Sequence, residues 1–237
     1  MNRTPVIIAC WFLLCVPAGG LVGDATIAEW TLARPTVMVF GSRGMCSGVV
    51  LTQDLVLTAA HCAAASGDSK IVGLIADKPY RFADVTEVAA HPQYTGEAGR
   101  TADLALLKLS KPLPSRFAPA FRSMRPVVVG ERLIVVGYGR AEKDDNKTAG
   151  TPRMAMLTVS NQSATLLTLI DRGYNGKISG CYGDSGAPAF TTRGGVPALA
   201  GVVSGGSCGV LTYVIPFATY RDWIRETARN LGSALDP

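Results

Sequence analysis

The chain has 237 residues, 48% of them hydrophobic and only 17% charged. That excludes disorder over most of its length and is too long for a disulfide-stapled mini-protein, so one or two domains with sizeable cores are expected. The net charge of +5, from 23 basic and 18 acidic residues, is spread without a run of one sign, which argues against a nucleic-acid-binding patch.

Met1, Asn2 and Arg3 precede an uncharged stretch from Thr4 to Gly23, most apolar between Val6 and Val16. A short basic start, an apolar run and the small residues Ala18, Gly19 and Gly20 describe a secretory signal peptide over 1–20, cut before Leu21. The alternative is an uncleaved anchor. The stretch barely reaches the length a bilayer needs, and Pro17 with two glycines weakens it as a helix. No later segment reads as a membrane span. Cys10 and Cys15 fall inside the signal. Cys46, Cys62, Cys181 and Cys208 remain, an even number in a chain bound for an oxidising compartment. Four cysteines allow three pairings, and their number does not choose between them. Metal binding is the weaker reading, because there is no Cys-x-x-Cys pair and only two histidines.

Beyond the signal, short β-branched runs recur between turn residues: Val37–Phe40, Val49–Thr58, Ile71–Ala76, Leu104–Leu109, Val127–Val129, Leu133–Val136, Met154–Val159, Ala198–Val203 and Leu211–Ile215. That pattern predicts an all-β sandwich or barrel. Pro112, Pro114, Pro119 and Pro126 mark a linker over about 112–126, between a first half at about 21–115 and a second at about 127–215. Glu142–Lys147 reads as a solvated polar loop. Phe217, Tyr220, Ile224, Ala228 and Leu231 recur every three or four residues, which predicts one amphipathic helix over about 217–231.

Three segments carry chemistry: Leu57-Thr58-Ala59-Ala60-His61-Cys62, Ala102-Asp103-Leu104-Ala105-Leu106-Leu107, and Gly180-Cys181-Tyr182-Gly183-Asp184-Ser185-Gly186-Ala187-Pro188. A serine hydroxyl is a poor nucleophile until a neighbouring base takes its proton, and imidazole suits that task at neutral pH. Only His61 and His91 are available, and His91 lies beside Pro92 in a segment of surface-loop type. Asp103 stands directly before an apolar run, where free solvation is poor and a partner is needed.

Together, and in this chain order, the three segments resemble the histidine, aspartate and serine motifs of the trypsin/chymotrypsin-like serine proteases over nearly all of 21–237. The resemblance implies two antiparallel six-stranded β-barrels packed face to face, with a C-terminal α-helix. It implies His61 as base, Asp103 holding its other ring nitrogen, Ser185 as nucleophile, and the amides of Gly183 and Ser185 as the oxyanion hole; it makes His91 structural. It pairs Cys46 with Cys62 and Cys181 with Cys208. It gives Asp184 to the α-ammonium of Leu21 once the mature chain is exposed. Asp24 departs from the family pattern there, and no Lys or Arg other than Arg3 precedes Leu21, so removal of the signal itself is expected to expose that ammonium.

The resemblance also assigns the specificity pocket to Ser179 as floor and to Ser204 and Gly206 as wall. A neutral floor points to a chymotrypsin-like or small-apolar preference rather than to Lys or Arg. The expected protein is a secreted, extracellular or periplasmic, monomeric endopeptidase with no cofactor and no metal. Its partners are protein or peptide substrates and protein inhibitors, not nucleic acid, and not a membrane once the signal is cut. The alternative is a catalytically silent protease-fold binding module, whose usual signature, a missing triad member, is not found. An esterase-type elbow would need Gly-x-Ser-x-Gly and the order Ser, Asp, His; Ala187 breaks the first and the chain order breaks the second.

Overall fold

The computed structural model describes residues 21–235 apart from 43, 64–67, 76–77, 97, 100 and 174–175. The expected signal peptide, with Cys10 and Cys15, lies outside the described residues.

Six strands close a first antiparallel barrel: β2 Thr36–Gly41, β3 Gly44–Thr52, β4 Leu55–Thr58, β5 Lys70–Ile75, β6 Lys78–Ala90 and β7 Ala105–Leu109. Around it they run β2-β3-β4-β7-β6-β5, and β5 returns to β2. A second barrel uses β8 Arg132–Gly137, β9 Arg153–Gln162, β10 Leu167–Ile170, β11 Pro188–Thr191, β12 Ala198–Ser207 and β13 Leu211–Pro216. Its order is β9-β10-β13-β12-β11-β8, closed by β8 on β9. A two-residue strand β1, Thr26–Ile27, adds to the outside of β9. Closure leaves no long open edges, which stabilises short strands that could not stand alone.

The local sequence explains most of these strands. The run 49–58 divides into β3 and β4 at a turn around Gln53-Asp54, where the Thr52 hydroxyl donates to the Asp54 carboxylate at 2.7 Å. Several features differ from expectation, among them β10 and β11, which none of the expected runs covers. Val127–Val129 forms no strand: Val127 enters the second core, Val128 and Val129 stay exposed, and Gly130, at φ +87°, turns the chain. The longest strand, β6, was not expected, because it carries Lys78, Arg81, Asp84 and Glu87 and turns only Phe82, Ala83 and Val85 fully inward. A strand with one wet face shows a weak hydrophobic signal.

Three buried clusters organise the interior. One fills the first barrel around Val37, Val56, Ile71, Phe82 and Leu107. Leu113 and Phe117 of the proline-rich segment also pack there. A second fills the other barrel around Leu133, Leu157, Leu169 and Val214, and includes Leu21. The third lies where the barrels meet, bringing Leu55, Leu57 and Leu106 of one against Phe190, Val202 and Ile215 of the other. The C-terminal helix, Phe217–Asn230, buries Phe217, Tyr220, Ile224 and Ala228 in that cluster. Its end is a Schellman motif: Gly232 at φ +69° follows the last turn, the Gly232 amide donates to the Arg229 carbonyl, and the Ser233 amide donates to the Ala228 carbonyl, both at 2.9 Å.

Both disulfides form as the resemblance implied, Cys46–Cys62 and Cys181–Cys208. The first closes a separation of 16 positions. Loop-closure entropy makes that worth about 3 kcal/mol. Replacing both cysteines by alanine is expected to lower the unfolding free energy by about that amount, read from the midpoint of urea unfolding at constant m-value.

Candidate active site

Asp103 sits just ahead of β7, with no exposure to water. The chain reaches it through Ala102 at φ +60°, a conformation that costs a residue bearing a Cβ and that the surroundings must enforce. The Tyr220 hydroxyl of the C-terminal helix helps, accepting the Ala102 amide at 3.1 Å. The carboxylate then meets three donors. The His61 amide reaches Oδ1 at 3.0 Å, and His61 Nδ1 lies 2.7 Å from Oδ2. The Ser204 hydroxyl of β12 also donates to Oδ2. A bond at Nδ1 orients the ring and leaves Nε2 as its other hydrogen-bonding atom. His61 itself stands on a single 3-10 turn, Ala60–Cys62, directly after β4.

The segment around Ser185 is shaped by glycines and by Ser47. Gly183 and Gly186 hold φ of +97° and +83°. A Cβ on Gly186 would lie 2.1 Å from the Ser47 carbonyl and from the Thr58 hydroxyl, so no side chain fits. The Ser47 amide donates to the Ser185 carbonyl at 2.8 Å, and its hydroxyl to the Gly183 carbonyl at 2.9 Å. Ser47 accepts the Tyr138 amide in turn at 3.0 Å. Both loop carbonyls are thereby committed, while the amides of Gly183 and Ser185 donate to no group among the described residues. Unclaimed neighbouring amides in a cleft are available to an anionic oxygen. Ser47 was not anticipated; its only sequence signal is its place beside Cys46.

His61 and Ser185 line one cavity of ≈ 480 Å³ together with Tyr182, Ser204, Gly206 and Tyr213. Among the described residues no carboxylate lines it, and the one lysine on it is Lys143. Ser204 and Gly206 are therefore on the wall, although the Ser204 hydroxyl is committed to Asp103. Ser179, expected as the floor, is not on the cavity surface. It is fully buried behind Gly180, with its hydroxyl donating to the Gly180 and Ser207 carbonyls at 3.1 Å and accepting the Gly209 amide at 2.7 Å. Its hydroxyl thereby ties Gly180, Ser207 and Gly209 together. His91 stands apart from this cavity, packed against Tyr220 and Trp223 with ring centroids 5.1 and 4.6 Å away. It is buried rather than on the surface, and burial lowers its pKa.

Asp184 is also fully buried. Its Oδ1 accepts the Gly139 amide and its Oδ2 the Cys181 amide, each at 2.9 Å. Its carboxyl fills the space that a side chain on Gly137 or Gly139 would need. Leu21 is buried in the second core at φ +55°, and Val22 bridges to Ser179. The recorded partners of Asp184 do not include Leu21, whose nitrogen becomes an ammonium only when residues 1–20 are gone.

Among the described residues, the one set of potential metal ligands brought together is Cys46, His61 and Cys62. Both sulfurs are bound in the disulfide and cannot supply thiolate.

Burial pushes the Asp184 carboxyl up from 3.8 to about 7, against the pull of the Cys181 and Gly139 amides and of Arg153. A folded-state value above the unfolded one means the folded chain holds a proton that the unfolded chain has released. Stability from this group is fully present below pH ~4 and is lost as pH rises toward 7. With residues retained ahead of Leu21, stability is expected to fall across that window, and Asp184→Asn to flatten the fall, read from urea unfolding at a series of pH values.

Comparison with known proteins agrees with this architecture. The trypsin family model matches residues 28–224. Human kallikrein-15 is 29% identical over 234 residues, covering 84% of this chain and 88% of its own. The platelet-aggregating proteinase PA-BJ of Bothrops jararaca is 28% identical over 195 residues, covering 74% and 80%. Mouse serine protease 56 is 28% identical over 247 residues, covering 92% of this chain, which spans only 40% of that protein. With two six-stranded barrels, a terminal helix and this match over most of its length, the chain belongs to the trypsin family of serine proteases.

Proposed function

We propose that the chain is a secreted endopeptidase that cleaves peptide bonds through an acyl-enzyme, with Ser185 as nucleophile, His61 as general base and then acid, and Asp103 as the group that orients His61. The observation that carries this reading is the buried Asp103 carboxylate 2.7 Å from His61 Nδ1, with His61 and Ser185 on one cavity. In the reaction, Ser185 Oγ attacks the scissile carbonyl carbon while His61 Nε2 takes the hydroxyl proton. The carbonyl oxygen becomes an oxyanion and meets the amides of Gly183 and Ser185. Each such donor is worth about 2.7–4 kcal/mol in the transition state. His61 then gives its proton to the departing amine, and a water molecule repeats the sequence on the ester. The chain itself supplies nucleophile, base and oxyanion donors, so the reaction as written draws on no cofactor.

The cavity fits a neutral side chain at the residue before the cut. Among the described lining residues there is no carboxylate and there is Lys143, so a basic side chain would find no counter-charge from them. Secretion to an extracellular or periplasmic compartment fits the two disulfides and the leader over 1–20. No helix among the described residues is long and apolar enough to cross a membrane. The mature protein acts as a monomer on protein or peptide substrates, with protein inhibitors as further partners.

A fluorophosphonate probe is expected to label the processed protein and not Ser185→Ala. Absence of labelling in correctly processed protein would favour the silent binding module. Asp103→Asn is expected to reduce kcat by about 10⁴-fold, the loss measured for this catalytic type. Peptide-library profiling is expected to show cleavage after neutral residues; dominant cleavage after Lys or Arg would overturn the assignment of specificity.

A further inference from the structure

The Ser204 hydroxyl is bound on two sides. It donates to Asp103 Oδ2, and it accepts the Gly99 amide at 2.7 Å. Both Ser204 and Asp103 are fully buried, so water does not compete for either group. A hydroxyl carries one proton and two lone pairs, and its rotor settles where its neighbours place it. With the Gly99 N–H against the oxygen, a lone pair faces Gly99 and the proton is left for the carboxylate. A hydroxyl polarised in this way is also a stronger donor.

Gly99 reaches that place between two neighbours. It stands at φ +73°, in the left-handed region, and a Cβ there would lie 3.0 Å from the Tyr213 ring. A side chain at 99 is therefore strained by conformation and by contact. On the side of β12, a Cβ on Gly205 would lie 3.5 Å from Ala98 Cβ and 3.7 Å from the Gly99 nitrogen. A glycine at 205 leaves Ala98 and Gly99 room to lie against the strand, beside Ser204. Ala98, Ser204, Gly205 and Tyr213 also line the cavity that holds His61 and Ser185.

We propose that Gly99 is a positioning residue: its amide aims the Ser204 hydroxyl at Asp103 and so helps to hold the acid that orients His61. This rests on the endopeptidase reading for its effect on turnover, though not for the chain of hydrogen bonds itself. Asp103 Oδ2 takes both the Ser204 hydroxyl and His61 Nδ1, so the direction of the first donor bears on the second. The role needs no side chain at 99, only an amide and a backbone conformation that glycine adopts without strain. The consequence is a link between substrate wall and acid. A displacement of Ala98 on the cavity wall moves the Gly99 amide, and from there it reaches His61 through Ser204 and Asp103.

The test uses protein beginning at Leu21 and compares Gly99→Ala with Gly96→Ala, each alone, and Gly99→Ala with Ser204→Ala in a double-mutant cycle. Gly96 stands nearby in the chain at φ +93°, with nothing within 4 Å of a Cβ, so its substitution strains the backbone without reaching Ser204. Gly99→Ala is expected to lower kcat about tenfold, the scale of one hydrogen bond, and to move the NMR resonance of the His61 Nδ1 proton. Gly96→Ala is expected to change kcat less than about twofold and to leave the resonance in place. Once Ser204→Ala has removed the hydroxyl, Gly99→Ala is expected to lower kcat less than about twofold further. Equal losses from the two glycine variants overturn the proposal, as does a Gly99→Ala loss that persists in full without the Ser204 hydroxyl. If Gly99→Ala does not fold, Gly205→Leu displaces Ala98 and Gly99 from the other side and takes its place in the cycle, with the same expectation. The resonance is read on the folded protein whether or not it turns over. A wild type without activity whose resonance moves as expected removes the endopeptidase reading and supports the chain of hydrogen bonds. A resonance unmoved by Gly99→Ala overturns the proposal even in an active protease.

Discussion

A carboxylate with no exposure to water, at the seam between two barrels, is the constraint around which this molecule is arranged. Asp103 leaves the first barrel just before β7, His61 leaves it just after β4, and Ser204 comes from β12 of the second. A buried charge lacking one of its donors costs several kcal/mol, so these groups stabilise the fold only while both barrels hold their relative positions. The apolar cluster at the seam supplies that rigidity. Leu57 and Leu106 flank His61 and Asp103 in sequence, while Val202 is two residues from Ser204. The core that joins the barrels and the support for the acid are therefore one structure. Tyr220 extends it, since the helix that seals the seam also holds the strained Ala102.

The disulfides are tied to the same region. Cys62 neighbours His61, and Cys46 neighbours Ser47, which takes up both carbonyls of the nucleophile loop. Cys181 donates its amide to Asp184, and Cys208 lines the cavity. Each bridge thus closes a loop with one end beside a group proposed to react and the other beside that group's surroundings. Cross-linking limits the unfolded chain and narrows the freedom of the two loops on which the cavity depends. A reducing environment would accordingly act on the geometry of the site as well as on overall stability.

How much of this was legible in the sequence depended on whether the information was local. Short β-branched runs identify strands when both faces are covered, as in β4, where all four residues are buried. They fail for β6, whose charged residues line a wet face, and mislead at Val127–Val129, where three β-branched residues mark a turn. The helix was legible because Phe217, Tyr220, Ile224 and Ala228 all belong to one stripe. His61, Asp103 and Ser185 sit in distinctive strings, whereas Ser47 contributes through its backbone and a small hydroxyl, groups that any loop could offer. Ser179 stands six residues before Ser185, and the sequence does not show the depth at which its hydroxyl is buried against the Ser207 carbonyl and the Gly209 amide.

The two buried aspartates show why burial alone does not define a role. Asp103 is surrounded by neutral or conditional donors: an amide, a hydroxyl and an imidazole whose charge depends on protonation. In the proposed reaction the imidazole becomes cationic only as the serine attacks, so the attraction of Asp103 grows toward the transition state. Interactions that strengthen in this way accelerate chemistry, whereas those present throughout do not. A permanent guanidinium beside Asp103 would weaken that gain by neutralising the carboxylate before the imidazolium forms. Asp184 stands in a different setting: its two oxygens meet the backbone amides of Gly139 and Cys181, whose charge does not change in the proposed reaction. In the proposed reaction, one buried carboxyl therefore faces a group whose charge changes as the bond is attacked, and the other faces groups whose charge stays the same.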